Sequence, residues 1–193
     1  MDGVRDAYYR PPIWLPDAPQ GDGADPQVSP AALAEQARDQ LRLPSPSIKA
    51  SPAAEQLVGL PTWLWLGREG WHAQSSTASV PGVSVTAVAR PTSVGWSMGD
   101  GSTLTCKGPG TPYRSATKTE KAVNPKSSSP DCGHTYRSSS AGQPHDVYPV
   151  SATVRWSVTW SGAGQSGTFP GLTTDSTTAF RVAESQALNT HGG

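Results

Sequence analysis

From Val150 to Ser161 apolar and polar side chains alternate without a break, with Val150, Ala152, Val154, Trp156, Val158 and Trp160 on one side and Ser151, Thr153, Arg155, Ser157, Thr159 and Ser161 on the other. A period of two held this long predicts a half-buried antiparallel strand with a core face and a wet face. The same period marks Thr62 to Leu66, Gly82 to Ala89, Thr92 to Met98, Ser102 to Cys106 and Thr177 to Val182, the last with Phe180 and Val182 on one face. One stretch follows a different rhythm. Ser29-Pro30 supplies a cap and a first-turn proline, and Leu33, Ala37 and Leu41 recur every four residues until Pro44, which predicts a short amphipathic helix over about 30–42. Several short strands joined by turns, with no helices alternating between them, predict an all-β fold of the sandwich type.

Breaks in these patterns divide the chain. Residues 1–28 hold Pro11, Pro12, Pro16, Pro19 and Pro26 among Gly and Asp, with no periodic apolar face, and are expected to form a disordered Pro-rich arm. Residues 29–60 are expected to hold the helix and a proline-punctuated linker, with a short turn around Ala53 to Leu57. The sandwich is expected over 61–185, followed by a tail over 186–193. Composition agrees with this division. The chain has 193 residues, 20 of them Gly and 19 Pro, and charged residues make up only 16% against the usual quarter, a balance that favours strands and turns over surface helices.

Fifteen basic and 15 acidic residues cancel, so no general attraction to nucleic acid or an anionic membrane is expected. No apolar run is long enough for a membrane-spanning helix, Leu60 to Leu66 being the nearest. The first ten residues lack a basic stretch followed by an apolar one, so no export signal is expected in this chain, and taken literally that means a cytoplasmic protein.

Chemistry is suggested most loudly between Ser93 and Cys106. Gly95-Trp-Ser-Met-Gly99 has the G-x-S-x-G spelling of a hydrolase nucleophile elbow, which needs a strand, a strained turn carrying the serine, and a helix. Ser97 instead falls within a strand pattern, and Met-Gly-Asp-Gly-Ser-Thr-Leu-Thr after it cannot start a stable helix. A phosphate loop would need G-x-x-x-x-G-K-[ST], which occurs nowhere, and Leu104 breaks G-x-G-x-x-G. Gly99-Asp100-Gly101 therefore reads as a hairpin turn, since Asp-Gly between two strand patterns suits a type I′ turn with positive φ at both central residues. Calcium at Asp100 stays open, although one carboxylate falls short of the several oxygen ligands calcium takes. No catalytic residue, metal site or cofactor is assigned.

Cys106 and Cys132 border a segment rich in proline and poor in apolar residues. Two sulfurs alone make a poor zinc site, so Cys106 and Cys132 are expected to be joined by a disulfide closing the segment, with two free thiols as the alternative. A disulfide would place the protein in an oxidising compartment, outside the cell or in the envelope, against the literal reading of the first residues. The segment is locally basic through Lys107, Arg114, Lys118, Lys121 and Lys126 and is expected to be a solvated loop. Trp156 and Trp160 lie on the inward stripe and are expected in the core. Trp63 and Trp65 share one strand face, where they would either be covered or bind a sugar or a partner.

Three separated motifs then fall in order: Val94-Gly-Trp96-Ser-Met-Gly99-Asp100-Gly101, Gly133-His134-Thr-Tyr136, and Tyr148-Pro-Val150 opening the long strand. Together they resemble the PKD (polycystic kidney disease repeat) domain over about 74–183, with Met98 where that family has Phe and with a longer insertion between the cysteines. Blocks such as Pro61-Thr-Trp-Leu-Trp-Leu66 and Trp160-Ser-Gly-Ala-Gly-Gln165 are similar to secreted actinobacterial proteins, some of which carry the label "ATP/GTP-binding protein". The resemblance implies an immunoglobulin-like β-sandwich acting as a non-enzymatic extracellular or cell-surface module that contacts a protein or a carbohydrate. The alternatives are a structural component of an envelope secretion or conjugation assembly and, from another class, a nucleotide-binding protein or hydrolase. It further implies structural roles for Trp96, Gly99, Asp100, Gly101 and Tyr148, a hydrogen bond from His134 near the turn, and a corner role for Tyr136, whose hydroxyl would return to the backbone.

Overall fold

The computed structural model of the chain describes residues 29–114, 123–124 and 126–184; the arm and the tail expected from the sequence lie outside them. The elements are helix α1 (Pro30–Asp39) and strands β1 (Ile48–Ser51), β2 (Gln56–Leu57), β3 (Pro61–Leu66), β4 (Gln74–Val80), β5 (Val83–Ser97), β6 (Thr103–Cys106), β7 (Gly133–Thr135), β8 (Tyr148–Gly162), β9 (Gln165–Phe180) and β10 (Val182–Ala183). Among the described residues the fold is all-β with one short α-helix, and its sheets face one another in a sandwich-like arrangement. The large sheet runs β4-β5-β8-β9 with β6 also on β5. The small one runs β1-β3-β7, and β2 pairs in parallel with β10.

The long alternating stretch is strand β8, and its stripe is the centre of the core. Val150, Ala152, Val154, Trp156 and Val158 are buried, while Arg155, Ser157, Thr159 and Ser161 stand exposed on the open face. Trp160, expected in the core, is only half-buried, because the stripe runs on toward the β8–β9 hairpin end, where its ring lies against Gly167. The two short strands expected over 82–89 and 92–98 are one strand, β5. Thr92 bulges out of register between Pro91 and Ser93, which switches the buried parity from Val85, Ala87 and Ala89 to Val94 and Trp96. The bulge also makes room for Pro91, which has no N–H to give a central ladder.

Ser29 caps α1 by accepting a hydrogen bond from Ala32 N–H at 3.1 Å, with Pro30 in the first turn. The helix ends at Asp39, short of the expected 42, because the Leu41 N–H bonds Arg38 O in a tightened last turn. Leu33, Ala34 and Ala37 are buried against the large sheet, and the Arg38 guanidinium lies 5.0 Å from the Phe169 ring centroid on β9. The segment read as a linker is also part of the fold: β1 pairs with β3 and β2 with β10. Buried Gln56 fixes that corner, donating to Pro52 O at 2.7 Å and accepting from the Thr62 hydroxyl at 2.9 Å. Prolines stopped any periodic pattern there, but pairing needs only the backbone of four residues in β1 and two in β2. Among the described residues no helix is long and apolar enough to cross a membrane.

Candidate functional site

Cys106 at the end of β6 and Cys132 just before β7 form a disulfide, with their Cα atoms 5.6 Å apart and both residues buried. The segment between them is laid along β3 at both ends. Leu66 N–H donates to Pro109 O at 2.7 Å and Leu64 N–H to Cys132 O at 3.0 Å. Asp131 closes this base, taking the Thr111 N–H at 3.0 Å and its hydroxyl at 2.9 Å on its two oxygens.

The glycine turn and the histidine meet at one end of the sandwich. Asp100 Oδ1 accepts from Ser102 N–H at 2.9 Å, and Asp100 Oδ2 lies 2.8 Å from His134 Nε2, which ties the β5–β6 turn to β7. The turn is not the two-residue type I′ connection. Met98 N–H bonds Ser102 O, and positive φ falls on Gly99 (78°) and Gly101 (91°), with Asp100 between them. The Asp100 side chain bonds the backbone two residues on and so replaces the turn geometry that an Asp-Gly pair would otherwise supply. Tyr136 is fully buried, and its hydroxyl donates to Met98 O at 3.2 Å, reaching across to the turn rather than to nearby backbone. Its ring stacks on Tyr148 at 5.3 Å and meets His134 edge-on at 4.6 Å. Tyr148 makes the shorter-range bond, donating to Ser139 O at 2.9 Å. Trp96 is buried beside this cluster in the chain, with no hydrogen-bond acceptor for its Nε1 among the described residues.

Burial pushes the Tyr136 hydroxyl far above its ordinary range, with the Asp100 charge and Tyr148 adding to it, so it acts as a fixed donor. Asp100 goes the other way. Burial would raise its pKa, but the Ser102 backbone N–H and His134 outweigh that and hold the carboxyl below the ordinary value. A depressed carboxyl contributes stability that is complete above the unfolded value of about 4 and is lost as pH falls through the lower folded one. The unfolding free energy is therefore expected to drop on acidification below about pH 4. Asp100→Asn should remove part of that drop when urea midpoints are compared across pH, and an identical acid limb in the variant would show that the turn is not held by this carboxylate.

A shallow polar cleft of about 540 Å³ opens beside Asp100 and His134, rimmed by Ser102, Arg137 and Tyr148. Both Asp100 oxygens are occupied by hydrogen bonds, and among the described residues no three His, Cys, Asp or Glu side chains gather into a metal site. Ser97 is exposed on β5 between Thr103 and Ser151, and no hydrogen bond among the described residues joins it to a histidine. The elbow spelling thus lies within a strand and not at the strained strand-to-helix turn that a nucleophile elbow needs.

The two tryptophans of β3 part company. Trp63 is 5% exposed, with its Nε1 donating to Ser127 O at 2.7 Å and its ring edge-on to Tyr113 at 5.4 Å, so the loop covers it. Trp65 is half-buried and lines a cleft of about 550 Å³ with Tyr113, Phe180, Ile48, Ala50 and Lys49. Of these only Trp65 stood out in the sequence as a candidate binding residue. Tyr113 lies in the inserted segment, its hydroxyl bonded to Val123 O at 2.9 Å, and Ile48 to Ala50 lie in the stretch read as a linker, so no local pattern pointed to either. No family model, curated protein or solved structure matches this chain.

Proposed function

We propose that the protein is a non-enzymatic, extracellular or cell-surface interaction module on a PKD-like, immunoglobulin-like sandwich, and that it engages a protein or carbohydrate through the Trp65 cleft. The observation that carries this reading is the half-exposed Trp65 in a concave site with Tyr113, Phe180 and Ile48. Ligand sites are largely apolar and aromatic with a few polar groups, and here Lys49 and Ser51 supply the latter. The Cys106–Cys132 bridge supports work in an oxidising compartment. The Asp100–His134 pair, in contrast, is spent on holding the turn.

Capture from a cell-envelope fraction by the immobilised chain tests this. Trp65→Ala is expected to reduce capture at least tenfold, since hot-spot aromatics contribute about 2 kcal/mol or more. Protease treatment of the envelope should abolish capture if the partner is a protein, and periodate treatment if it is a glycan. Undiminished capture by Trp65→Ala would move the contact surface elsewhere.

A further inference from the structure

The Trp65 cleft runs along a strand edge. Four consecutive residues, Ile48, Lys49, Ala50 and Ser51, line it. Side chains of a strand alternate between its two faces, so a cleft touching four in a row lies beside the backbone rather than over one face. On the opposite wall Thr178, Ala179 and Phe180 are again consecutive, at the end of β9. Among the described residues both strands end their sheets, β1 pairing with β3 and β9 with β8.

The hydrogen-bond phase of β1 is fixed by its neighbours. Ser47 O accepts from Gly67 N–H at 2.8 Å, and the register pairs Lys49 with Trp65 and Ser51 with Trp63. In an antiparallel pair every second residue exchanges bonds with its partner. Ser47, Lys49 and Ser51 are thus turned toward β3, and the N–H and C=O groups of Ile48 and Ala50 point away from it. The partner strand carries the same phase, since Leu66 and Leu64, opposite Ile48 and Ala50, send their N–H groups to Pro109 and Cys132 on the far side. No hydrogen bond among the described residues takes up the Ile48 or Ala50 amide.

Resting on the cleft as the contact surface, we propose that the partner is an extended peptide segment that adds as a strand to the β1 edge. Two outward N–H and C=O pairs, two residues apart, repeat at roughly 6.7 Å, twice the rise of a β-strand, and an extended chain offers the matching ladder. Alternate side chains of the added strand would lie over Ile48 and Ala50 on the apolar side of the cleft. The residue opposite Lys49 would share the face of the exposed Lys49 and of Trp65, which favours an acidic side chain there. A pyranose ring stacked on Trp65 uses the aromatic wall but makes no demand on these amides.

A phage-displayed library of linear peptides panned on the full chain supplies the probe, with a soluble oligosaccharide panel as counter-probe. The selected peptide is expected to slow amide exchange at Ile48 and Ala50, while Lys49 is already protected by β3. Ala50→Pro should weaken it about tenfold or more through lost main-chain bonds, and the fold should survive because proline is tolerated where an edge N–H faces outward. If that variant does not fold, a peptide N-methylated at the amides facing β1 makes the same test and should lose binding. Peptide binding unchanged by Ala50→Pro and by N-methylation, or without protection at Ile48 and Ala50, overturns strand addition. An oligosaccharide that binds in a Trp65-dependent way, with no peptide selected, also overturns it while leaving the interaction module standing. Failure of every probe to bind in a Trp65-dependent way overturns both.

Discussion

Removing the disulfide by Cys106→Ser/Cys132→Ser is expected to lower the unfolding free energy by about 3.5 kcal/mol, the chain-entropy value for a closed loop of this size, the two cysteines being 26 residues apart. For a domain whose total stability is about 5–15 kcal/mol, that is a shift in melting temperature of roughly 10 °C. The described ends of the loop are fastened at its base by the Asp131 bonds to Thr111 and by the Pro109 and Cys132 carbonyls on β3. Trp63 should report the change. Its Nε1 bond to Ser127 O and its contact with Tyr113 both belong to the loop, so its fluorescence should shift to the red on reduction. Equal stability of the oxidised and reduced chain in urea would contradict the expectation. Two alkylatable thiols in the native chain would remove both the bridge and the compartment it implies.

Gly99→Ala is expected to cost about 2–5 kcal/mol, combining about 1–2 kcal/mol for a side chain at left-handed φ with a further 1–3 kcal/mol for overpacking. A Cβ at Gly99 would lie 2.7 Å from Pro149 O and 2.9 Å from Pro149 N and Tyr148 Cβ, where the turn presses on the start of β8. Gly101 provides the internal control. Its φ is also positive, at 91°, but a Cβ there meets nothing within 4 Å, so Gly101→Ala should show only the conformational part, about 1–2 kcal/mol. Chemical denaturation of the two variants side by side measures the difference. Equal losses would mean that the turn does not bear on β8.

The two glycines were legible in the sequence as one turn, and their unequal roles were not. The spacing Gly99-Asp100-Gly101 announces a reversal because few other residues accept that backbone. Nothing local says that Pro149, fifty residues on, lies under the first glycine. The strands divide in the same way. Strand β8 was plain because one face is apolar and the other polar. Strand β4, Gln-Ser-Ser-Thr-Ala-Ser-Val, and most of β9, with Thr168, Thr173, Thr174 and Thr177 around Pro170 and Gly171, carry little alternation because they are edge strands with little to bury. Their pairing comes from the backbone ladder of their neighbours.

By itself the sequence determined the all-β class, the capped helix, the central strand, the turn at Asp100 and the two cysteines at the borders of the inserted loop. Each of these follows from a period, a cap or a backbone preference contained within a few residues. Only the tertiary structure decided that α1 packs on the large sheet and that the stretch after Pro44 contributes β1 and β2, while the disulfide expected between the two cysteines is formed. It also covered Trp63 with Ser127 and Tyr113 while leaving Trp65 at a cleft with Phe180. Two tryptophans on one face of one strand are equivalent to any local rule, and what separates them is a loop and a second sheet edge brought in from far along the chain.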